Sequence, residues 1–148
     1  SNNTNPEFAK ADDTIALAMT FDEALSAAPT VTLFGKTATV NGAGTDWTAT
    51  AVVEAASPNG EAAILVTNYA DLAGNAGDPI TEDTDGNTVE IDTVAPTLTL
   101  QDTPEPLTMI DSLVVDYNFS EDVFNIAPGA VTVENAVVED ITEESGGN

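Results

Sequence analysis

The side chains able to do chemistry in this 148-residue chain are its carboxylates: 26 Asp and Glu stand against two basic residues and no His, for a formal net charge of −24. With neither Cys nor His, the chain cannot build a zinc finger, a thiol nucleophile or a Ser-His-Asp triad. The acids and their amide companions fall into recognisable groups: Asp22-Glu23, Asp71-Leu-Ala-Gly-Asn75, Asp83-Thr-Asp-Gly-Asn87, Asp92 and Glu121-Asp122. Ligands of this all-oxygen kind suit Ca²⁺, which takes about 6–8 oxygens in a flexible shell. The competing reading is a solvated acidic surface that keeps the protein soluble. The run beginning at Asp83 resembles the start of an EF-hand loop, but its twelfth position is Val94, not Glu; Asp85-Gly86 reads equally as a turn signal. Two carboxylates could serve as acid and base on a glycoside, but nothing in the sequence fixes their separation. Only eight aromatic residues are available for sugar stacking, so no catalytic residue is assigned and no enzyme activity is expected.

The elements that must position these groups are strands. Hydrophobic residues make up 42% of the chain, close to a globular composition. They are chiefly Val, Ala, Ile and Leu, joined by 21 Thr. Branched Cβ atoms favour a pleated surface. Residues 14–21 alternate Ile15, Leu17, Met19 and Phe21 with Ala16, Ala18 and Thr20, the period of a half-buried strand. Further strands are expected at 31–33, 36–40, 47–53, 63–69, 88–92, 96–100 and 113–119. Turns are expected at 41–46 and 57–60, and a long acidic loop at 71–87, with a short extended stretch near Ile80. Short strands at this spacing predict an all-β protein, a Greek-key β-sandwich of about seven strands. Trp47 and Tyr69 are expected to pack, with the Tyr69 hydroxyl bonded to backbone.

The chain also repeats itself. Thr14-Ile-Ala-Leu-Ala-Met-Thr-Phe-Asp-Glu-Ala-Leu25 aligns without a gap to Ser112-Leu-Val-Val-Asp-Tyr-Asn-Phe-Ser-Glu-Asp-Val123. Pro29-Thr-Val-Thr-Leu33 likewise resembles Pro128-Gly-Ala-Val-Thr-Val133. The offset of 98 to 100 residues is the size of one sandwich domain. A first unit, 1–95, and the N-terminal part of a second, 96–148, are therefore expected. The first carries 15 acids and two Lys, the second 11 acids and no base. Clustered basic residues are lacking, which excludes binding to nucleic acid phosphates and to anionic membrane surfaces. No apolar run approaches the ~18 residues of a membrane span, so no membrane insertion is expected. No basic and apolar leader stands at Ser1, so a signal peptide is expected outside these residues.

Several runs, taken together and in order, resemble one family. They are Ala9-Lys-Ala-Asp-Asp-Thr-Ile15, Thr20-Phe-Asp-Glu23, Pro29-Thr-Val-Thr32, Trp47-Thr-Ala-Thr50, Tyr69-Ala-Asp-Leu-Ala-Gly-Asn75 and Ile91-Asp-Thr-Val-Ala-Pro-Thr97. The chain is similar to the bacterial immunoglobulin-like repeat of very large secreted adhesins and biofilm-associated surface proteins. The resemblance covers 1–97, and the residues beyond look like the first half of another copy. It implies an immunoglobulin-like sandwich, a secreted or cell-surface location and a calcium-stiffened spacer that projects a distal adhesive region.

In such a sandwich, loops far apart in sequence gather at one pole. Glu23 would then meet Asp71 and Asn75, with Asp83, Asp85 and Asn87 further along the same loop. At the joint between repeats, Asp92 would meet Glu121 and Asp122. These six residues, Glu23, Asp71, Asn75, Asp92, Glu121 and Asp122, are the expected Ca²⁺ ligands. The expected partners are neighbouring immunoglobulin-like repeats of the same chain, with head-to-tail self-association through unpaired strand edges as a variant. The alternative function is a binding module for a glycan or a protein, which needs an exposed apolar patch.

Overall fold

A computed structural model describes residues 1–101, 115–121, 123, 126, 128–132, 134, 137–138 and 140–142. The chain divides into two compact units, Ser1–Val94 and Ala95–Asn148. Among the described residues the protein is all-β, with one three-residue 3-10 turn, Pro128–Ala130, as its only helical element. No helix among them is long and apolar enough to cross a membrane.

The first unit contains β1 (Phe8–Ala9), β2 (Thr14–Thr20), β3 (Thr30–Leu33), β4 (Lys36–Thr37), β5 (Thr39–Ala43), β6 (Asp46–Val52), β7 (Gly60–Glu61), β8 (Ile64–Thr67) and β9 (Glu90–Ile91). They form three small sheets, ordered β2-β6-β5, β4-β3-β8 and β1-β9-β7. All pairings are antiparallel except that of β1 with β9. The arrangement is consistent with a β-sandwich. β2 and β6 pair over seven residues without interruption, placing Ile15 opposite Ala51, Leu17 opposite Ala49 and Met19 opposite Trp47. β3 and β8 place Val31 opposite Val66 and Leu33 opposite Ile64. Ile15, Ala49 and Ala51 from one sheet share a single core with Val31, Leu33 and Val66 from the other, joined by Ala9, Phe34, Val53 and Ile91. Period-two alternation sends Ala16, Ala18 and Thr20 outward to water.

Three local expectations are corrected. Residues 36–40 are not one strand. Lys36 and Thr37 pair with β3, and Thr39 onward pairs with β6, so the chain changes sheets at Ala38. The Ala38 N–H still reaches back to the Val31 carbonyl at 2.9 Å. Residues 41–46 are not all turn. β5 runs to Ala43, which pairs with Asp46, leaving Gly44 and Thr45 as a two-residue connection. Gly42, rich in turn character by composition, serves the ladder instead: a Cβ there would run into the backbone of Asp46 and Trp47. The strand expected at 63–69 is narrowed to β8, Ile64–Thr67, and a separate two-residue strand, β7, starts at Gly60, the last residue of the expected turn. The Ala63 carbonyl accepts the Phe34 N–H at 2.7 Å, tying in the β3–β4 turn. Phe34 sits at φ +43°, a region bulky residues rarely adopt. Its ring is only 6% exposed, so burial holds it there.

The expected loop 71–87 is also subdivided. Ala76 bridges back to Ala70, and Ile80 bridges to Val66, as the expected extended stretch near Ile80 requires. What remains is a tight tip at 71–75 and a separate acidic excursion at 81–89 before β9. β1 precedes the first strand expected from the sequence: Phe8 and Ala9 lie parallel to Glu90 and Ile91.

In the second unit, β10 (Leu98–Gln101) pairs antiparallel with β11 (Asp116–Phe119). Residues 113 and 114 of the expected strand lie outside the described residues. The segment resembling β3 opens with the 3-10 turn Pro128–Ala130, and residues 131 and 132 are not strand. β3 is held by β8 in the first unit, and no described residue of the second unit plays that part.

Leu33 is 1% exposed and lies at the centre of the shared core. Leu33→Ala should therefore cost about 2–5 kcal/mol, read from chemical denaturation. Thr32→Ala, one residue away on the other face, should cost far less.

Candidate functional site

The end of β2 and the end of β8 meet at one pole of the first unit. Leu25 and Asp71 form an antiparallel bridge. The Ser26 N–H and Oγ both donate to the Ala70 carbonyl, at 2.9 and 3.2 Å. The rings of Phe21 and Tyr69 pack at 5.1 Å between centroids, tilted by 51°. The Tyr69 hydroxyl donates to the Asp78 carbonyl at 2.6 Å, the backbone partner expected of it. Its ring occupies the space where a Cβ of residue 77 would lie, so Gly77 is required by close approach. Trp47 packs as expected, half-buried, with Nε1 donating to the Gly44 carbonyl at 3.1 Å.

These contacts shape an open depression of about 160 Å³, lined by Phe21, Asp22, Glu23, Leu25, Tyr69, Asp71, Asn75, Ala76 and Gly77. The fold thus brings Glu23, Asp71 and Asn75 to one place. Asp71 is closely engaged within its own loop. Its Oδ1 accepts the Asn75 N–H at 2.8 Å, and its Oδ2 accepts Asn75 Nδ2 at 2.7 Å. The Asp71 N–H donates to the Asn75 carbonyl at 3.0 Å. These bonds, the Asn75 side chain first, hold the Asp71 carboxyl below its ordinary value. The Asp-Leu-Ala-Gly-Asn run is thereby explained as a closed five-residue tip.

Other acids are placed elsewhere. Asp83 Oδ1 accepts the Gly86 N–H at 3.0 Å, making 83–86 a plain turn. Gly86 and Asn87 line a different depression, with Glu7, Phe8, Thr88 and Glu90. Asp92 follows β9, and its Oδ1 accepts the Val94 N–H at 3.0 Å and Asn59 Nδ2 at 3.4 Å. Asn59 Oδ1 in turn accepts from Thr93 N–H and Oγ1, at 3.1 and 2.8 Å. Asp92 and Thr93 of the Asp-Thr-Val-Ala-Pro run therefore fasten the end of β9 to the residue before β7. Glu121 belongs to the second unit, and Asp122 lies outside the described residues. Among the described residues no three acidic side chains converge as a metal cage.

Sequence reasoning passed over Asp13. It is the most buried acid of the first unit, 8% exposed. Its Oδ2 accepts the Lys10 N–H at 2.9 Å and Asn3 Nδ2 at 2.7 Å, and Lys10 Nζ lies 3.5 Å from Oδ1. The Lys10 backbone bond, then Asn3, lower its pKa from the ordinary 3.8. The available signal was the run Lys10-Ala-Asp-Asp13 directly before a strand, a local side-chain-to-backbone turn. The other lysine, Lys36, donates from Nζ to the Val52 carbonyl at 3.1 Å and pairs with Glu54. That clasp joins β4 to the end of β6, across two sheets.

Compared with protein-family models, with curated proteins and with solved structures, the chain matches none.

Because the native pKa of Asp13 is lowered, its contribution to stability is complete above the ordinary 3.8 and is lost as pH falls through the native value. Asp13→Asn should lower Tm at neutral pH. The gap between variant and wild type should close on acidification below 3.8, as followed by circular dichroism.

Proposed function

We propose that this chain is a structural spacer repeat of a secreted or cell-surface adhesin, without catalytic activity, and that its first unit is an immunoglobulin-like Greek-key sandwich. The observation that carries the reading is the internal repeat at an offset of 98 to 100 residues, in a chain of two compact units. Tandem domains of one kind suit extension more than chemistry. The strand order supports the Greek key. β2, β6 and β5 take the places of strands B, E and D in one sheet. β4, β3 and β8 stand for C′, C and F, with β9 as the last strand and β1 beside it. The depression at the loop pole holds about 160 Å³, and the one beside β1 and β9 about 360 Å³ but with Phe8 as its one large apolar side chain, against the roughly 300–1,000 Å³, mostly apolar, usual for ligand pockets. That ranks the glycan- or protein-binding module second.

The test uses the parent surface protein. Replacing residues 1–94 by an unrelated sandwich of equal length should preserve adhesion and its specificity. Loss of adhesion with the surface level unchanged would overturn the spacer reading and favour the binding module.

Calcium enters this reading as a counterion that relieves repulsion among carboxylates. Millimolar Ca²⁺ should raise Tm more than NaCl of equal ionic strength, with reversal by chelator. Identical melting curves in the two salts would remove calcium from the reading and leave the spacer in place.

A further inference from the structure

The Tyr69 hydroxyl is aimed at a peptide bond with chemistry of its own. Asp78–Pro79 is the only Asp-Pro bond in the chain. Its carbonyl, that of Asp78, accepts the Tyr69 hydroxyl at 2.6 Å. The chain is anchored on both sides of this bond. Before it, the Gly77 N–H donates to the Tyr69 carbonyl at 3.0 Å. After it, Ile80 and Val66 exchange both backbone bonds, at 2.9 and 3.0 Å. The Tyr69 ring is packed against Phe21 and fills the space that a Cβ at residue 77 would need. The hydroxyl is therefore placed by the fold and not by its own loop alone.

An Asp-Pro bond holds a nucleophile and a leaving group together. The aspartate carboxylate can close on its own carbonyl carbon as a cyclic anhydride. The proline nitrogen belongs to a tertiary amide and becomes a basic secondary amine when released. A donor at the carbonyl oxygen completes what nucleophilic displacement needs, because negative charge develops there. Asp78 and Pro79 are both exposed to water. Among the described residues nothing bonds the Asp78 carboxyl. By contrast, Asp71, Asp83 and Asp92 are each occupied by amides.

We propose that the first unit cleaves its own chain between Asp78 and Pro79. An Asp78 carboxylate oxygen bonds to the Asp78 carbonyl carbon, and the carbonyl electron pair moves onto oxygen under the Tyr69 hydroxyl. The pair returns, the C–N bond to Pro79 breaks, and solvent protonates the released nitrogen. Water then opens the anhydride. One water is consumed: its oxygen ends on Asp78, which then carries two carboxylates, and its two hydrogens are balanced by the Pro79 ammonium. The reaction occurs once per chain and needs no other reactant, so it stands apart from the spacer reading. The cut leaves the fold closed. Beyond it lies β9, paired with both β1 and β7, with Ile91 only 1% exposed. The pieces 1–78 and 79–148 should stay together until denatured.

The test follows the full-length chain by intact mass under denaturing conditions during incubation in mildly acidic buffer, which supplies the proton to the leaving nitrogen. Pieces 1–78 and 79–148 should accumulate, while size exclusion in native buffer shows a single species. Cleavage should be about tenfold slower in the urea-unfolded chain at the same pH, where the Tyr69 donor is lost. Tyr69→Phe, checked for folding by circular dichroism, should be slowed by a similar factor; if it does not fold, the urea comparison decides alone. Asp78→Ala removes the nucleophile and Pro79→Ala the basic leaving nitrogen, and both chains should stay whole. Equal rates in folded and unfolded wild type would overturn the inference, leaving only the ordinary acid lability of an Asp-Pro bond. So would a folded Tyr69→Phe that cleaves at the wild-type rate, the same pieces from Asp78→Ala, or a wild type that is never cut.

Discussion

Charge without counter-charge is the condition under which this chain folds. A net −24 with two lysines means that a carboxylate held in place can rarely be held by a cation. Amide N–H groups take that part. Asp13 is fixed by the Lys10 backbone and the Asn3 side chain, Asp71 by both nitrogens of Asn75, Asp83 by Gly86 N–H, and Asp92 by Val94 N–H and Asn59. Each is a charge-assisted bond to a neutral donor. Such bonds are short in sequence for the most part, so they shape turns. The turns in turn set where β2, β8 and β9 begin or end. Of the two lysines, Lys10 adds its charge to the amides that already hold the most buried acid, and Lys36 reaches across two sheets to Val52 and Glu54.

The neutral part of the protein is arranged around this. The core is built largely from small and branched residues, with Leu33, Ile91, Val31, Val53 and Val66 fully buried. Ala49 and Ala51 on β6 let the sheets approach closely where Val31 and Leu33 fill the space. Of the large side chains, Phe34 is buried in the core, Phe21 and Tyr69 pack at the pole beside Gly77, and Trp47 lies against Gly42. A sandwich of this composition has little apolar area to spare, so each fully buried aliphatic, worth about 1.5–3 kcal/mol, matters to the whole.

Much of this was legible in the sequence, and for identifiable reasons. The strand at 14–21 could be read because one of its faces is buried and the other wet, which imposes period two. The meeting of Glu23 with Asp71 and Asn75 followed from the expectation that such loops share a pole. The change of sheet at Ala38 could not be read. Residues 36–43 keep their alternation through it, and periodicity does not say which partner a strand has. Gly42 looked like a turn because composition cannot reveal that Trp47 lies over it. Asp13 looked like any surface acid, because the local turn that Lys10 and Asn3 make with it does not reveal in sequence that its carboxylate is buried. The division of 71–87 depended on Ile80 finding Val66 across the fold, a contact without a local signature.

The pairing of β1 with β9 has a mechanical meaning. The two strands run parallel, one near the start of the first unit and the other near its end. They are joined by the Glu90 N–H to the Glu7 carbonyl at 2.8 Å and the Asp92 N–H to the Ala9 carbonyl at 2.9 Å. A pull on the two ends of the unit draws parallel first and last strands in opposite directions along a common axis. The bonds between them are then loaded in shear and share the force, instead of opening one after another like a zip. Antiparallel pairing at that position would have given the zip.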